Sequence, residues 1–407
     1  MRINNLDIID LSTLFLLSGG YGLLNILFTL LNFDIAVNAV FQVLILLVYS
    51  VIILRTFKRR NRYFTYIKEI LKNNQLLIFF LLLCAVSIMW SVDKSLAVQR
   101  IIAFLLTSYI AIYFYVKYNT EKFITILYVS FYIVIIVSIF SVLIIPDLAI
   151  HRLDAHEGDW RGIFTHKNNL GWFTSLCIII SFSVLNKKVN IYRVAFLLLS
   201  LLLLIMSGSR TSWVALSIII FVYFLIKNLK INKKLYYAIL VLIVPVVIIF
   251  INYLFNNYDF ILGLIGRDAT LTGRINLWAH SFNAILDRPL LGYGFGTFWD
   301  SKIINEIWTW IWLPPHAHNG YVDLLLQLGI LGFSVFIYLY VFYVTKSVYR
   351  LNKRFKFDTF IFTTFLIHLF ILGFSADVLF RQNSIYWVIF LISVFNINDR
   401  TNYEKKD

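Results

Sequence analysis

A histidine placed just before a long apolar run is the strongest candidate for acid–base chemistry in this chain. His318 lies in the sequence PPHAHNGY at 314–321, and the apolar run follows at once. A neutral imidazole at a helix N-terminus can accept a proton near neutral pH, which suits a general base. The alternative is a histidine that caps the helix or faces lipid headgroups. Asp323, one turn later, either orients His318 or forms only a buried hydrogen bond.

Metal chemistry is not expected at this histidine. His316 and His318 have neither a cysteine nor a nearby acidic residue at an established ligand spacing. The chain also contains no Walker loop, nucleophile elbow or zincin signature. We therefore predict an activity that needs no metal and no cofactor.

Four arginines are candidates for binding phosphate: Arg161, Arg210, Arg274 and Arg288. A guanidinium donates two parallel hydrogen bonds to phosphate oxygens, and several of them could hold a pyrophosphate. Arg210 lies in SGSRTS at 207–212, between two apolar runs. A charge at bilayer depth costs about 2.5–3.5 kcal/mol by insertion scales, so it indicates a functional site. The alternative is an arginine that extends to the headgroups.

The composition predicts that membrane-spanning helices position these residues. The chain is 60% hydrophobic and 14% charged, with a mean hydropathy of +0.81. This profile is typical of an all-α polytopic membrane protein. Twelve spans are predicted, in one membrane domain over residues 1–407, and the first is expected to remain as a signal anchor: 11–31, 35–54, 76–91, 100–116, 123–145, 169–186, 191–207, 211–226, 235–255, 320–345, 359–375 and 384–397.

The basic residues predict which ends of the spans face the cytoplasm. With the N-terminus inside, the N-tail, every second loop and the C-tail hold 25 of the 36 Lys and Arg residues. Both termini are therefore predicted to be cytoplasmic. These residues are scattered over short loops, so the net charge of +15 does not indicate a nucleic-acid partner.

Two long loops, 146–168 and 256–319, then lie on the outer face, where long loops commonly carry function. The second is predicted to contain an amphipathic helix from Gly273 to Leu286, ended by Pro289, and then a turn-rich segment at 292–296. Tryptophans cluster around these loops. They form either an interfacial aromatic belt or a surface that stacks on sugar rings, and Trp278 is the one we assign to the substrate site.

Four ordered segments give the chain a family resemblance: GIFTHKNNLG at 162–171, SGSRTSW at 207–213, TGRINLW at 272–278 followed by GYGFGTF at 292–298, and HNGYVDLLLQLGILG at 318–332. Together they resemble the bacterial O-antigen ligase and Wzy-type polysaccharide polymerase family. The core of the resemblance covers residues 160–335 and includes the outer loop 256–319. The first 150 residues match only as hydrophobic spans.

The resemblance implies a glycosyltransferase that moves an oligosaccharide from undecaprenyl pyrophosphate to an acceptor hydroxyl. It implies that Arg210 and Arg274 bind the pyrophosphate and that His318 is the base. The other substrate-binding candidates are Arg161, Arg288, His166, Lys167, Asn168, Trp278, Asn319 and Asp323. The implied location is the bacterial plasma membrane, with the active site on the outer face. The implied partners are membrane lipids, a chain-length regulator and a flippase.

Several functions stay open at this point. A polysaccharide polymerase and a ligase that transfers glycan to lipid A core share these segments, as does a protein O-oligosaccharyltransferase. We predict the polymerase because such enzymes are widespread among bacteria. A flippase or other transporter would place charges within several spans and show repeated halves. A non-catalytic scaffold would tolerate loss of His318 and Arg274.

Overall fold

The structure is a computed structural model that describes residues 7–33, 37–152, 156–228, 274–301, 304, 315–376 and 378–398. Within these residues it contains helices and no β-strand beyond one isolated bridge between Ile150 and Trp160, so the predicted all-α class is confirmed. In chain order the helices are α1 Ile8–Leu30, α2 Val37–Phe57, α3 Arg60–Asn73, α4 Gln75–Val86, α5 Lys94–Lys117, α6 Thr120–Ile144, α7 Lys167–Lys187, α8 Ile191–Met206, α9 Arg210–Asn228, α10 Arg274–Asp287, α11 Gly320–Lys353, α12 Phe357–Gly373 and α13 Ile385–Asn398.

The chain is a multi-pass membrane protein, although the count of twelve spans is not confirmed. Each predicted span overlaps a helix, except 235–255, which lies outside the described residues. By length and composition, 6 of the described helices could cross a membrane, or up to 7 if the bent pair α3 and α4 is one span. Helices α8, α12 and α13 are apolar but shorter, as is the apolar part of α9.

Helix α3 was not predicted, because its sequence forms part of a basic loop. It is joined to the segment Gln75–Trp90 through Asn74 at an angle of 93°. Tyr63 and Ile70 are buried, whereas Phe64 is 60% exposed and the basic residues lie among them. This amphipathic pattern explains why α3 turns away from the apolar axis of α4.

Helix α7 lies at the centre of the bundle. It packs against α6, α8, α9 and α12, and 78% of its apolar window is buried. Small residues allow this close packing: a Cβ on Gly171 would overlap the side chain of Ser209. Because α7 packs against other helices on several sides, its N-terminus keeps His166 and the two residues that follow in fixed positions.

Helix α1 is interrupted by a π-helical turn at Leu16–Gly20, which the apolar pattern did not predict. Beyond the turn, Gly22 lies so close to the loop after α6 that a Cβ would overlap the carbonyl oxygen of Ile163. Short π-helical turns inside α-helices occur frequently at functional sites. This one brings α1 against the segment that precedes His166.

Helix α11 is broken at Gly329, where φ is 62° and ψ is −166°. The segment 288–301 passes beside the break and supplies hydrogen bonds that the helix lacks. The N–H groups of Ile330 and Leu331 donate to the carbonyls of Pro289 and Leu290, at 2.8 and 3.2 Å. Non-helical backbone is tolerated at membrane depth only where protein or a water-filled cavity surrounds it.

The segment 288–301 is also anchored by the connection between α4 and α5. The N–H of Val92 donates to the carbonyl of Tyr293 at 3.1 Å, and the N–H of Phe295 donates to Ser87 Oγ at 3.0 Å. On the other side, the N–H of Tyr293 donates to the carbonyl of Leu326 at 2.8 Å. The first 150 residues resemble the family only as hydrophobic spans, yet these hydrogen bonds show that they hold one of the motif segments in position.

Replacement of Gly329 by alanine is expected to destabilise the protein strongly. An alanine there must adopt a backbone conformation that is essentially restricted to glycine, which costs about 1–3 kcal/mol, and its Cβ would also overlap the backbone of Leu290 and Leu291. Gly158→Ala is the matched control, because Gly158 has φ 84° and open space around the added Cβ. Melting temperatures in detergent should fall much further for Gly329→Ala. Equal melting temperatures for the two variants would contradict the packing at the break.

Candidate active site

The backbone before α11 presents His318 in an unusual conformation. His318 has φ 52°, in the left-handed region, and its N–H donates to His316 Nδ1 at 3.0 Å. The helix is capped by the next residue, since Asn319 Oδ1 accepts from the N–H groups of Tyr321 and Val322. The capping function considered for His318 therefore belongs to Asn319. The His318 side chain is half-buried and lies two residues before the first residue of α11.

Asp323 fixes the loop that carries His318. It is fully buried, and its Oδ1 accepts from the N–H of Ala317 at 2.9 Å and from Trp299 Nε1 at 2.7 Å. The sequence left open whether Asp323 orients His318 or forms a buried hydrogen bond. One of these contacts is with Ala317, the residue before His318, and the other is with Trp299 of the segment 288–301; that Asp323 orients His318 stays a prediction.

The same loop is joined to α10. The Trp278 indole Nε1–H donates to the carbonyl of Ala317 at 2.9 Å, and Trp278 is half-buried. Leu277 and Ile285 are buried on this helix, whereas Phe282 is exposed. Arg274 is the first residue of α10, about one turn before Trp278, and its side chain lies outside the described residues. The hydrogen bond thus brings the start of α10 towards His318.

Three histidines of the loop 146–168 form a cluster near His318. The ring centroids of His151, His156 and His166 lie 5.2–5.9 Å apart. Burial, followed by the charges of His151, His156 and His318, lowers the pKa of His166 to about 4. His318 therefore lies within electrostatic range of this cluster. No group of three or more His, Cys, Asp or Glu in the described part of the chain is arranged to hold a metal ion.

The residues at the start of α7 already have partners. His166 caps the helix, because its Nδ1 accepts from the N–H of Asn168 at 3.2 Å. Lys167 is buried, and its Nζ forms an ion pair with Asp159. A substrate phosphate at Lys167 would therefore compete with the Asp159 carboxylate. Asp159 was not among the predicted site residues, because an acidic residue eight positions earlier carries no motif.

The turn before α9, which precedes Arg210, packs against Asp159 of this pair. Gly208 has φ 57°, and a Cβ there would lie 2.5 Å from Asp159 Oδ1. Ser209 is buried against α7, and its Oγ lies 2.9 Å from Ser212 Oγ. The Arg210 side chain is exposed at the first residue of α9. Arg210 therefore lies two residues after a glycine that packs against Asp159, and its side chain is outside the core.

Two other predicted arginines lie at the edges of this region. Arg161 is half-buried and lines a pocket of about 40 Å³ with Gly22 and Asn25 of α1. Arg288 is exposed, and its Cζ lies 4.9 Å from the centroid of the Tyr293 ring. The described contacts thus associate Arg161 with α1 and Arg288 with the segment 288–301. Their substrate-binding functions stay predictions.

The protein is expected to lose stability in acid, partly through His166. Burial holds the pKa of this histidine at about 4 in the folded protein, below its ordinary value of 6.5. The unfolded chain therefore binds an additional proton as the pH falls from 6.5 to 4, and stability decreases across this window. In His166→Asn, which keeps a capping side chain, the melting temperature should fall less between pH 6.5 and 4. An unchanged acid dependence would argue against a buried, neutral His166.

Comparison with known proteins gives one family match and several short similarities. Residues 195–337 match the family model described as O-antigen ligase. A segment of 83 residues is 30% identical to the exopolysaccharide production protein ExoQ of Rhizobium meliloti (strain 1021), covering 19% of each chain. Another of 89 residues is 34% identical to a protein of Rickettsia conorii provisionally named a polysaccharide ligase, covering 20% of this chain and 22% of that one. The chain therefore spans about a fifth of these relatives.

The family match contains three of the predicted catalytic positions, Arg210, Arg274 and His318. It does not include the segment 162–171, which the structure nevertheless brings to His318 through His166. Part of the matched region, residues 229–273, lies outside the described residues.

Proposed function

We propose that this chain belongs to the O-antigen ligase family, whose model matches residues 195–337, and that it is a glycosyltransferase acting on a lipid-linked glycan. The donor is an oligosaccharide on undecaprenyl pyrophosphate, and the acceptor is a hydroxyl of a second lipid-linked repeat unit. The enzyme is then a polysaccharide polymerase. The reaction requires no metal and no nucleotide sugar.

The observation that carries this proposal is the meeting of the motif segments around His318. Trp278 ties α10, which begins at Arg274, to the loop before His318. His166 lies within electrostatic range of His318, and the adjacent Lys167 pairs with Asp159, against which the turn before Arg210 is packed. We propose that His318, Arg210 and Arg274, each near the start of a different helix, supply a base and two guanidinium groups to this region.

In the proposed reaction, the acceptor oxygen attacks the anomeric carbon of the donor sugar. The acceptor proton passes to His318, a new glycosidic bond forms, and the bond from that carbon to the pyrophosphate oxygen breaks. Undecaprenyl pyrophosphate leaves with the electron pair. Arg210 and Arg274 would stabilise the negative charge that develops on the leaving oxygen, as fixed donors do in a site of low dielectric. Asp323 keeps the His318 backbone in place.

We propose that this region faces the outside of the bacterial plasma membrane. The loops at the opposite ends of the helices carry most of the Lys and Arg residues, which favours a cytoplasmic location for those loops and for both termini. Reporter fusions test the orientation. A fusion at residue 300 that reports a cytoplasmic position would overturn it, and with it the outer-face reaction.

A ligase is the second candidate, and the family description and the Rickettsia conorii relative favour it as well as a polymerase. Such an enzyme transfers the finished glycan to lipid A core; a protein O-oligosaccharyltransferase transfers it to a protein. Both use the same donor chemistry and differ in the acceptor. A flippase would supply the lipid-linked donor in each case, and a chain-length regulator would act with a polymerase.

The test uses purified protein in liposomes that contain one lipid-linked repeat unit prepared from the host, with lipid-linked products separated on a gel. A ladder of products supports the polymerase. Transfer that occurs only after lipid A core or an acceptor protein is added supports a ligase. Absence of transfer to every acceptor, accompanied by movement of the donor between leaflets, would overturn the proposed function in favour of transport.

A further inference from the structure

A second cavity, absent from the sequence-based site, lies between α1, α2, the start of α7 and the connection from α12 to α13. Its volume is about 460 Å³. The walls are formed by the π-helical turn of α1, the first turns of α2, residues 164–172 and residues 378–386. A cavity of this size accommodates one or two sugar rings, since small-molecule sites measure about 300–1,000 Å³.

The cavity adjoins the candidate active site. Thr165 and Asn169 line it, and His166 lies between them in the chain. Asn169 Nδ2 donates to Thr165 Oγ1 at 3.2 Å, so these two side chains form one side of the wall. The segment that caps α7 therefore has one face towards the histidine cluster and another towards the cavity.

The wall combines amide side chains with aromatic rings. Amides both donate and accept hydrogen bonds, as sugar hydroxyls require, and aromatic rings provide flat apolar surfaces for the faces of sugar rings. The amide residues lining the cavity are Asn38, Gln42, Asn169, Gln382 and Asn383, and the aromatic residues are Tyr21, Phe41, Phe164, Trp172 and Tyr386.

Trp172 supplies an independent indication that the cavity receives a polar ligand. It lines the cavity, is 8% exposed, and its indole Nε1 has no hydrogen-bond partner within the described structure. A buried donor left unpaired costs about 1–3 kcal/mol, so such a group normally has a partner. The N–H is itself closed off from the cavity, so we infer that a small rotation of the ring brings it to a ligand oxygen.

Arg381 gives the cavity its charge. Among the described residues that line the cavity, Arg381 is the one Lys or Arg, and none is acidic. Its side chain is exposed at the rim, while the next residues are held in place: the N–H of Asn383 donates to Thr107 Oγ1 at 2.9 Å, and Tyr49 OH donates to Asn383 Oδ1 at 3.1 Å. A guanidinium on a fixed loop suits a carboxylate or phosphate group.

We propose that this cavity binds a segment of the polysaccharide that carries an acidic group, with Trp172 and Arg381 as ligands of the sugar. This inference rests on the proposed function, because it assigns a glycan subsite to the same enzyme. The Arg381 guanidinium pairs with the acidic group, and the Trp172 indole N–H donates to a sugar oxygen. The segment belongs either to the donor or to the acceptor glycan.

The test measures how tightly purified protein in nanodiscs binds a free oligosaccharide. The oligosaccharide is released by mild acid from the lipid-linked intermediate of the bacterium that produces this protein. Arg381→Gln should weaken binding about 10- to 100-fold, because hydrogen bonds to charged groups contribute about 1.5–3 kcal/mol. Trp172→Phe keeps the ring and removes the N–H, and should weaken binding about 2- to 10-fold. Arg152→Gln is the control, since Arg152 is an exposed arginine that pairs with Asp147 and does not line the cavity.

A second test removes the acidic groups of the oligosaccharide: carboxyl groups are reduced to alcohols, and phosphate groups are removed by hydrolysis. Binding to the wild type should fall as far as it does in Arg381→Gln, and Arg381→Gln should lose nothing further. In the transfer assay, Arg381→Gln should raise the KM for the donor alone or for the acceptor alone. The substrate whose KM rises is the glycan that occupies the cavity, and either result supports the subsite.

Three results would overturn the inference: no binding of the free oligosaccharide to the wild type, equal affinity in Arg381→Gln and Arg152→Gln, or an oligosaccharide with no acidic group. None of these affects the proposed function, which is judged by transfer in the wild type and its loss in a His318 variant. Conversely, a wild type that binds the oligosaccharide without transferring it would contradict the glycosyltransferase and leave the binding site in place.

Discussion

Substitution of His318 is expected to slow glycan transfer about 10²- to 10⁴-fold, the range that a positioned general base contributes. The acceptor hydroxyl would then have to lose its proton to water while the new glycosidic bond forms. Folding should be little affected, because the cap of α11 is provided by Asn319 and not by His318. The measurement is the initial rate of product formation in liposomes at equal protein amount.

The choice of variant follows from the backbone at this position. His318 has φ 52°, a conformation that asparagine adopts more readily than alanine. His318→Asn therefore removes the base with little added backbone strain. His318→Ala also removes the base, but it adds backbone strain. Both variants should lose transfer while retaining the melting temperature of the wild type to within a few degrees.

Added imidazole should partly restore transfer in His318→Ala, because a free base can enter the space left by the side chain. A structural function for His318 would show no such recovery. Full-rate transfer by both variants would sink the assignment of His318 as the base, and would direct attention to the histidine cluster at 151–166.

The sequence predicted the helices well because apolar length and composition determine them directly. The run from 123 to 145 and helix α6, Thr120–Ile144, differ by only a few residues at each end. It could not predict α3, whose basic residues resemble an ordinary cytoplasmic loop. Nor could it predict the break at Gly329, since a glycine within an apolar run has no signal that distinguishes a tightly packed helix from an interrupted one.

The candidate site residues could be identified from the sequence where polar side chains adjoin apolar runs. His318 and Arg210 stand out as polar residues next to apolar runs. Asp159 and Arg381 do not, because their importance depends on neighbours that are distant in sequence: Asp159 on the turn before α9, and Arg381 on the cavity beside α1. The π-helical turn that forms one wall of the cavity contains Ser-Gly-Gly at 18–20, which is the only local sign of it.

Replacement of Arg210 by alanine is expected to reduce transfer about 10²- to 10³-fold, the cost of removing one donor that stabilises transition-state charge. Arg210 is exposed at the first residue of α9, while Gly208 and Ser209 make the packing contacts of the turn. The variant should therefore fold and melt as the wild type does. Arg274→Ala should give a loss of the same order.

Arg210→Lys separates charge from geometry. A lysine keeps the positive charge but cannot donate two parallel hydrogen bonds to two oxygens, so it should recover only part of the rate. The matched control is Arg152→Ala, which removes an exposed arginine that pairs with Asp147. If Arg210→Ala and Arg152→Ala both transfer at the rate of the wild type, Arg210 extends to lipid headgroups and does not bind the pyrophosphate. If Arg210→Ala and Arg274→Ala together lose less than the product of the two single losses, both guanidinium groups act on the same leaving group.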